Sequence, residues 1–155
     1  MKLQTSTRLA IFAVLELTAR DGLQLSVANI GQKYGVSSHH LAKVMHVMGR
    51  AGLVRSVRGA GGGYQFVGNA RRTTLLDVVQ LFEDSSAVEQ DTGRADATPE
   101  GQALREILGE IDKIARATLG SVTIATMRKL VNRRGFSDGA RSKAALSRRR
   151  NQPRL

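Results

Sequence analysis

The chain of 155 residues contains no cysteine and no tryptophan. The first absence excludes disulfides, thiolate metal sites and thiol redox chemistry. Aromatic residues make up only 4% against 41% apolar residues, so a core here is built from Leu, Val, Ile and Ala, the profile of a helix-rich protein. The longest strongly apolar stretch, Leu9 to Leu17, is too short to span a bilayer. The first residues also lack the small-residue cleavage site of a secretory signal. A soluble, cytoplasmic protein with no membrane partner is therefore expected, with room for one domain and a modest core, or a small domain plus an oligomerisation arm.

What is present is positive charge. The formal net charge is +11, and an excess of that size points to a polyanionic partner. It is unevenly spread. Residues 1–72 carry ten Lys and Arg against two acids, Glu16 and Asp21; residues 73–127 carry four against ten; residues 128–155 carry ten against Asp138 alone. A basic head, an acidic middle and a basic tail follow. The acidic middle is a poor surface to lay on phosphates and a better one for a partner subunit.

Apolar periodicity divides the head. Leu9, Phe12, Ala13 and Leu17 share a helical face that Ile11, Val14 and Leu15 widen, which predicts a helix over 5–19 ended by Asp21-Gly22. Ser26 caps a second, short helix through Tyr34, with Gly35 as its stop. Ser37 caps a third over 38–51, with Leu41, Val44, Met45 and Met48 as its buried stripe and Gly52 as its stop. Two helices joined by Gly35-Val36-Ser37 make a helix-turn-helix. The strand-like runs Leu53–Arg58 and Tyr64–Val67 flank a glycine-rich turn, and a hairpin directly after a helix-turn-helix is a wing.

Thr73 or Thr74 caps a further helix through Glu83, and residues 84–98 read as a polar loop. Thr98-Pro99-Glu100 starts a long helix. Its stripe Leu104, Ile107, Leu108, Ile111, Ile114, Ala115 and Thr118 has no counterpart in the small head, so a second copy of the chain is its expected partner. The fold class is mainly α with a small β wing. A winged helix-turn-helix domain occupies 1–83, a loop 84–98, a dimerisation helix region 99–131 and a disordered basic tail 132–155.

The first turns of the third helix present Ser37, Ser38, His39, His40 and Lys43. In a helix-turn-helix the N-terminal residues of this helix meet base edges, where hydroxyl, imidazole and ammonium donors reach guanine acceptors or phosphate. The bland alternative is a solvated helix start. Arg58 and Gly59, at the tip of a slim hairpin, suit the narrow minor groove; the alternative is a mobile surface loop. The glycine run is not a nucleotide loop, because an aromatic strand follows it instead of a helix. Neighbouring histidines point about 100° apart on a helix, and His46 is distant from His40, so no metal site is expected. The histidines lack a nucleophile–acid pair, and Asp77, Glu83 and Asp84 read as a helix surface and its end. No enzyme activity and no cofactor are expected.

Several runs carry a family resemblance: Met1-Lys2-Leu3, Ile30-Gly31, Gly35-Val36-Ser37, His40-Leu41-Ala42-Lys43-Val44, Arg50-Ala51-Gly52-Leu53-Val54, Asp77-Val78-Val79 and, most specific, Ser56-Val57-Arg58-Gly59-Ala60-Gly61-Gly62-Gly63-Tyr64. The chain resembles the IscR/NsrR (Rrf-two) family of bacterial winged-helix regulators, closely over 1–83 and more loosely over 100–127. The segment Gly35 to Val54 is most similar to the nitric-oxide-responsive branch. The resemblance implies a homodimer through the long helix, a near-palindromic double-stranded DNA operator, base reading from Ser37 to Lys43 and minor-groove insertion by Arg58-Gly59. Sensing members of the family hold an iron–sulfur cluster with three cysteines in the loop before the long helix. Here that loop has none, Arg8 stands where the nitric-oxide branch can place an acid, and Gln102 stands where a histidine can ligate. The expectation is a sequence-specific repressor without a cluster, controlled by an unidentified small-molecule effector or by its own abundance. The rival readings are a non-specific nucleic-acid binder and a protein-interaction module without DNA affinity.

Overall fold

In the helical stretch that begins at Thr5, most apolar positions face inward, with Phe12 and Leu15 half-buried at the edge. Leu9, Ala10, Ala13, Val14 and Leu17 are all buried. This structure, a computed structural model, describes residues 2–83 and 97–135. The elements in chain order are α1 (Thr5–Leu17), β1 (Gln24–Leu25), α2 (Val27–Tyr34), α3 (Ser38–Arg50), β2 (Val54–Val57), β3 (Gly63–Phe66), α4 (Leu75–Val79), α5 (Pro99–Ser121) and α6 (124–135).

Helix α1 stops at Leu17, short of the expected Asp21-Gly22. The Thr18 hydroxyl donates to the Val14 carbonyl at 2.7 Å, which offers the backbone a competing bond at the last turn. Helix α2 starts on Ser26, whose hydroxyl accepts the Asn29 N–H while the Asn29 side chain accepts the Ser26 N–H, a capping box. It ends on Gly35 in the left-handed conformation, φ +65°. The turn into α3 is tight because Gly31 lets the Val36 carbonyl approach; a Cβ at Gly31 would lie 2.7 Å from that oxygen.

Leu41, Val44, Met45 and Met48 of α3 are buried and meet Val14 and Leu17 of α1 in one core. Each such side chain contributes about 1.5–3 kcal/mol of transfer free energy. On the far side of α1, Glu16 accepts from both Lys33 Nζ and Tyr34 Oη, the latter at 2.7 Å. The Tyr34 ring stacks on Phe12 with centroids 4.9 Å apart. Burial pushes the Glu16 carboxyl up, but the bonds from Lys33 and Tyr34 and the Lys33 charge outweigh it and hold it below its ordinary 4.5. Burial and the Glu16 acceptor push the Tyr34 phenol above its ordinary value.

The hairpin β2–β3 forms with Val54 opposite Phe66 and Val57 opposite Gly63. Sequence periodicity missed a third strand. The two residues of β1 pair antiparallel with β3, Gln24 opposite Gln65 and Leu25 opposite Tyr64, giving the order β1-β3-β2. Gly63 is required there, since a Cβ would lie 2.4 Å from the Leu25 carbonyl oxygen.

Helix α4 is capped by Thr74, as expected, but runs for five residues only, not through Glu83. Beyond Val79 the amides of Leu81 and Phe82 turn to the carbonyls three residues back, which tightens the chain out of the helix. The long helix also divides. It ends at Ser121, Val122 is extended, and the chain rejoins the head: Leu75 N–H donates to Val122 O at 2.8 Å, Ile124 N–H to Thr73 O at 2.9 Å and Ala125 N–H to Ala70 O at 2.8 Å. Ile124, the first residue of α6, is fully buried in the head core. Residues 132–135, assigned to the tail, continue α6. Most of the loop 84–98 and the remainder of the tail lie outside the described residues.

Candidate nucleic-acid interface

Helix α3 presents one apolar face to the core and the opposite face to solvent. Ser37 is its cap, with Oγ accepting the His40 N–H at 3.2 Å. Ser38, His39 and Lys43 are exposed, available to donate to a duplex. His40 is placed differently. It is half-buried, with Nε2 3.2 Å from Ser6 Oγ of α1, so this ring braces α3 against α1. His46 and Arg50 are exposed as well, three and seven residues beyond Lys43, and complete the line His39, Lys43, His46, Arg50. Sequence reasoning passed over these two, although their spacing from Lys43 was a usable signal.

The wing carries its basic residues on β2 and at the tip. Arg55 is bound across the ladder, Nη2 to Gln65 Oε1 at 2.8 Å and Nε to the same oxygen at 3.1 Å. Arg58 is exposed immediately beyond β2, followed by Gly59 with φ +109°. The Gly62 N–H donates to Gly59 O at 2.9 Å and closes the tip. Within the described residues, none of His39, Lys43, His46, Arg50 and Arg58 takes part in an ion pair.

Helix α5 has no buried residue. Leu104, Ile107, Leu108, Ile111 and Ile114 are between 47% and 65% exposed, while the C-terminal end of the helix rests on α4, with Leu76 Cδ2 against Gly120. The charges of α5 are partly settled within the helix, by Lys113 to Glu110 and Arg116 to Asp112. A pocket of about 160 Å³ opens at the base of the wing, lined by Leu17, Arg20, Asp21, Phe66 and Arg128 among others. Arg128 there donates to the Ala19 carbonyl at 2.7 Å.

Among the described residues, no three His, Cys, Asp or Glu side chains converge as metal ligands. No helix among them is long and apolar enough to cross a membrane. Arg8 is exposed on α1, and the Gln102 side chain reaches back to the Ala97 carbonyl at 3.4 Å.

A family model described as Rrf2, iron-dependent transcriptional regulator, matches residues 3–129. The chain belongs to the Rrf2 family. The HTH-type transcriptional regulator BadM of Rhodopseudomonas palustris is 46% identical over 132 residues, which span 85% of this chain and 84% of the relative. An HTH-type transcriptional regulator of Neisseria meningitidis is 30% identical over 91% of this chain and 95% of its own length. The solved structure of T. potens IscR superposes with a TM-score of 0.68 at 26% identity, covering 84% of this chain and 88% of that one. CymR, the global cysteine regulator of B. subtilis, gives 0.69 at 25% identity, covering 84% and 98%. This Rrf2 protein is accordingly a DNA-binding transcription regulator, not an enzyme. Its donor set departs from the iron named in the family description. Iron–sulfur clusters of this kind are held by thiolates, and the chain has no cysteine, so the residues present do not fit such a group.

Proposed function

We propose that this Rrf2 protein is a sequence-specific repressor that binds a near-palindromic operator as a homodimer in the cytoplasm, without an iron–sulfur cluster. The observation that carries the reading is the set of unpaired basic side chains on α3 and at the wing tip, His39, Lys43 and Arg58, within a stretch, residues 1–72, whose only acids are Glu16 and Asp21. Base reading falls to Ser37, Ser38, His39 and Lys43, with His40 bracing the helix behind them, and minor-groove insertion to Arg58-Gly59. The open stripe of α5 supports the dimer, since a two-fold pair buries it and matches an operator's own symmetry.

Control without thiolates rests on a small-molecule effector or on the protein's own abundance, which a ligand screen by thermal shift separates. Selection of bound sequences from random duplexes tests the reading. Enrichment of a palindrome bound about 10³-fold or more above random duplex is expected of a specific regulator. Affinities within about tenfold of one another would make the protein a non-specific binder, and no duplex binding would leave a protein-interaction module. Anaerobic reconstitution with iron and sulfide should give a colourless, iron-free protein; stoichiometric iron would overturn the cluster-free assignment.

A further inference from the structure

The three histidines of the chain all lie on α3, and the structure sorts them. His40 is half-buried against Ser6. His39 and His46 are exposed, with Lys43 between them and Arg50 beyond. The successive spacings of four, three and four residues align these side chains along one helical edge. That edge is about 16 Å long at 1.5 Å per residue. A helix seated by its N-terminal turns in a major groove carries such an edge from base edges out to a flanking phosphate strand.

The electrostatic surroundings of the line are unusual in what they contain. The elements packed most extensively against α3 are α1, α2 and β2. Their charged and titratable side chains are Arg8, Glu16, Lys33, Tyr34 and Arg55, and α3 itself adds His40, Lys43 and Arg50. The one carboxylate in this set, Glu16, is held by Lys33 and Tyr34. No unpaired carboxylate is left on these elements. A phosphate placed beside an imidazole favours its charged form.

We propose that His46 and Arg50 extend the DNA-contacting face of α3 past the residues that read bases, and that His39 and His46 take up protons when a duplex binds. Affinity for DNA then rises as pH falls through the range in which imidazoles titrate. The proposal rests on the DNA-binding reading above and adds to it two phosphate contacts and a linkage to pH.

Fluorescence anisotropy of the full chain with a mixed-sequence duplex, at constant ionic strength between about pH 8 and about pH 6, provides the test. Affinity is expected to increase several-fold toward the acid end, up to ~10-fold per pH unit for each proton taken up. His39→Gln/His46→Gln should flatten the profile, and His46→Lys should hold its share of affinity at the alkaline end. His40→Gln should leave the pH slope in place. Arg50→Ala should lower the salt dependence by about one counterion. Circular dichroism and melting midpoints matched to the parent show that each variant compared is folded.

A double variant that keeps the parent's pH slope overturns the assignment of the protons. Duplex binding that does not vary with pH overturns the coupling and leaves the regulator reading standing. Absence of duplex binding at any pH in low salt overturns both.

Discussion

Glu83 and Gln4 stand 79 residues apart, and the Glu83 carboxylate accepts the Gln4 backbone N–H at 2.8 Å. The same oxygen accepts the Thr7 hydroxyl. Gln4 is the cap residue of α1 and makes no side-chain cap of its own. The reach-back that a capping box takes from the third helical residue is here supplied from the far end of the head, as an anion at the positive end of the helix. Glu83→Ala should lower stability by about 1–2 kcal/mol, read as a shifted midpoint in urea. Glu83→Gln should lose less, because it keeps the acceptor and gives up the charge.

Arg58→Ala should weaken binding to a selected operator by about 1–3 kcal/mol, the scale of one good groove contact. Arg58 is exposed at the wing tip while Arg55 is tied to Gln65, so Arg55→Ala should cost less. Titration of both variants against one labelled duplex checks the order, and a parent-like Arg58→Ala would remove the wing from the interface.

Ile111→Glu should dissociate the homodimer. Ile111 is 57% exposed at the middle of the α5 stripe, so the substitution costs the isolated chain little and places a charge in the apolar seam of the proposed dimer. Light scattering at micromolar concentration should show a dimer for the parent and a monomer for the variant. A parental monomer would contradict the assignment.

Acid should loosen the packing of α1 on α2. The folded-state pKa of Glu16 lies below its ordinary 4.5, so the folded chain holds this carboxylate charged more strongly than the unfolded chain does. Its contribution is present above that ordinary value and is lost as pH falls through the lowered one. At the other limit, the raised Tyr34 phenol gives stability that is full below its ordinary 10.0 and is lost as pH climbs beyond it. Thermal midpoints measured against pH should drop at both ends, and Glu16→Gln should flatten the acid side.

The helix-turn-helix was legible because its signals are local. Ser26 and Ser37 cap where their hydroxyls meet the start of an apolar stripe, and Gly35 takes the left-handed conformation that a stop of this kind needs. The wing was legible from glycines between two short apolar runs. What escaped was long-range. Gln24-Leu25 is too short for any period to register, and it is a strand only because β3 passes beside it. Val122 breaks the long helical region because Leu75 offers it, and Thr73 offers Ile124, a backbone partner, a fact absent from residues 99–131 themselves. At the candidate interface, Lys43 and Arg58 could be singled out from type and place. His40 could not be told from His39 by sequence, since their difference is the presence of Ser6 on a separate helix.

The return of the chain at Val122 makes α5 a cantilever. One end is bolted to the head through Leu75, Thr73 and the buried Ile124, while the stripe from Leu104 to Ile114 stands clear of it. At 23 residues, the beam is about 34 Å long. A tilt of about ten degrees at its root therefore sweeps the tip through about 6 Å, roughly one helical turn. In a two-fold pair joined along these beams the same leverage runs backwards: a small slip where they cross swings both heads, and the distance between the two α3 helices changes against the fixed pitch of the double helix.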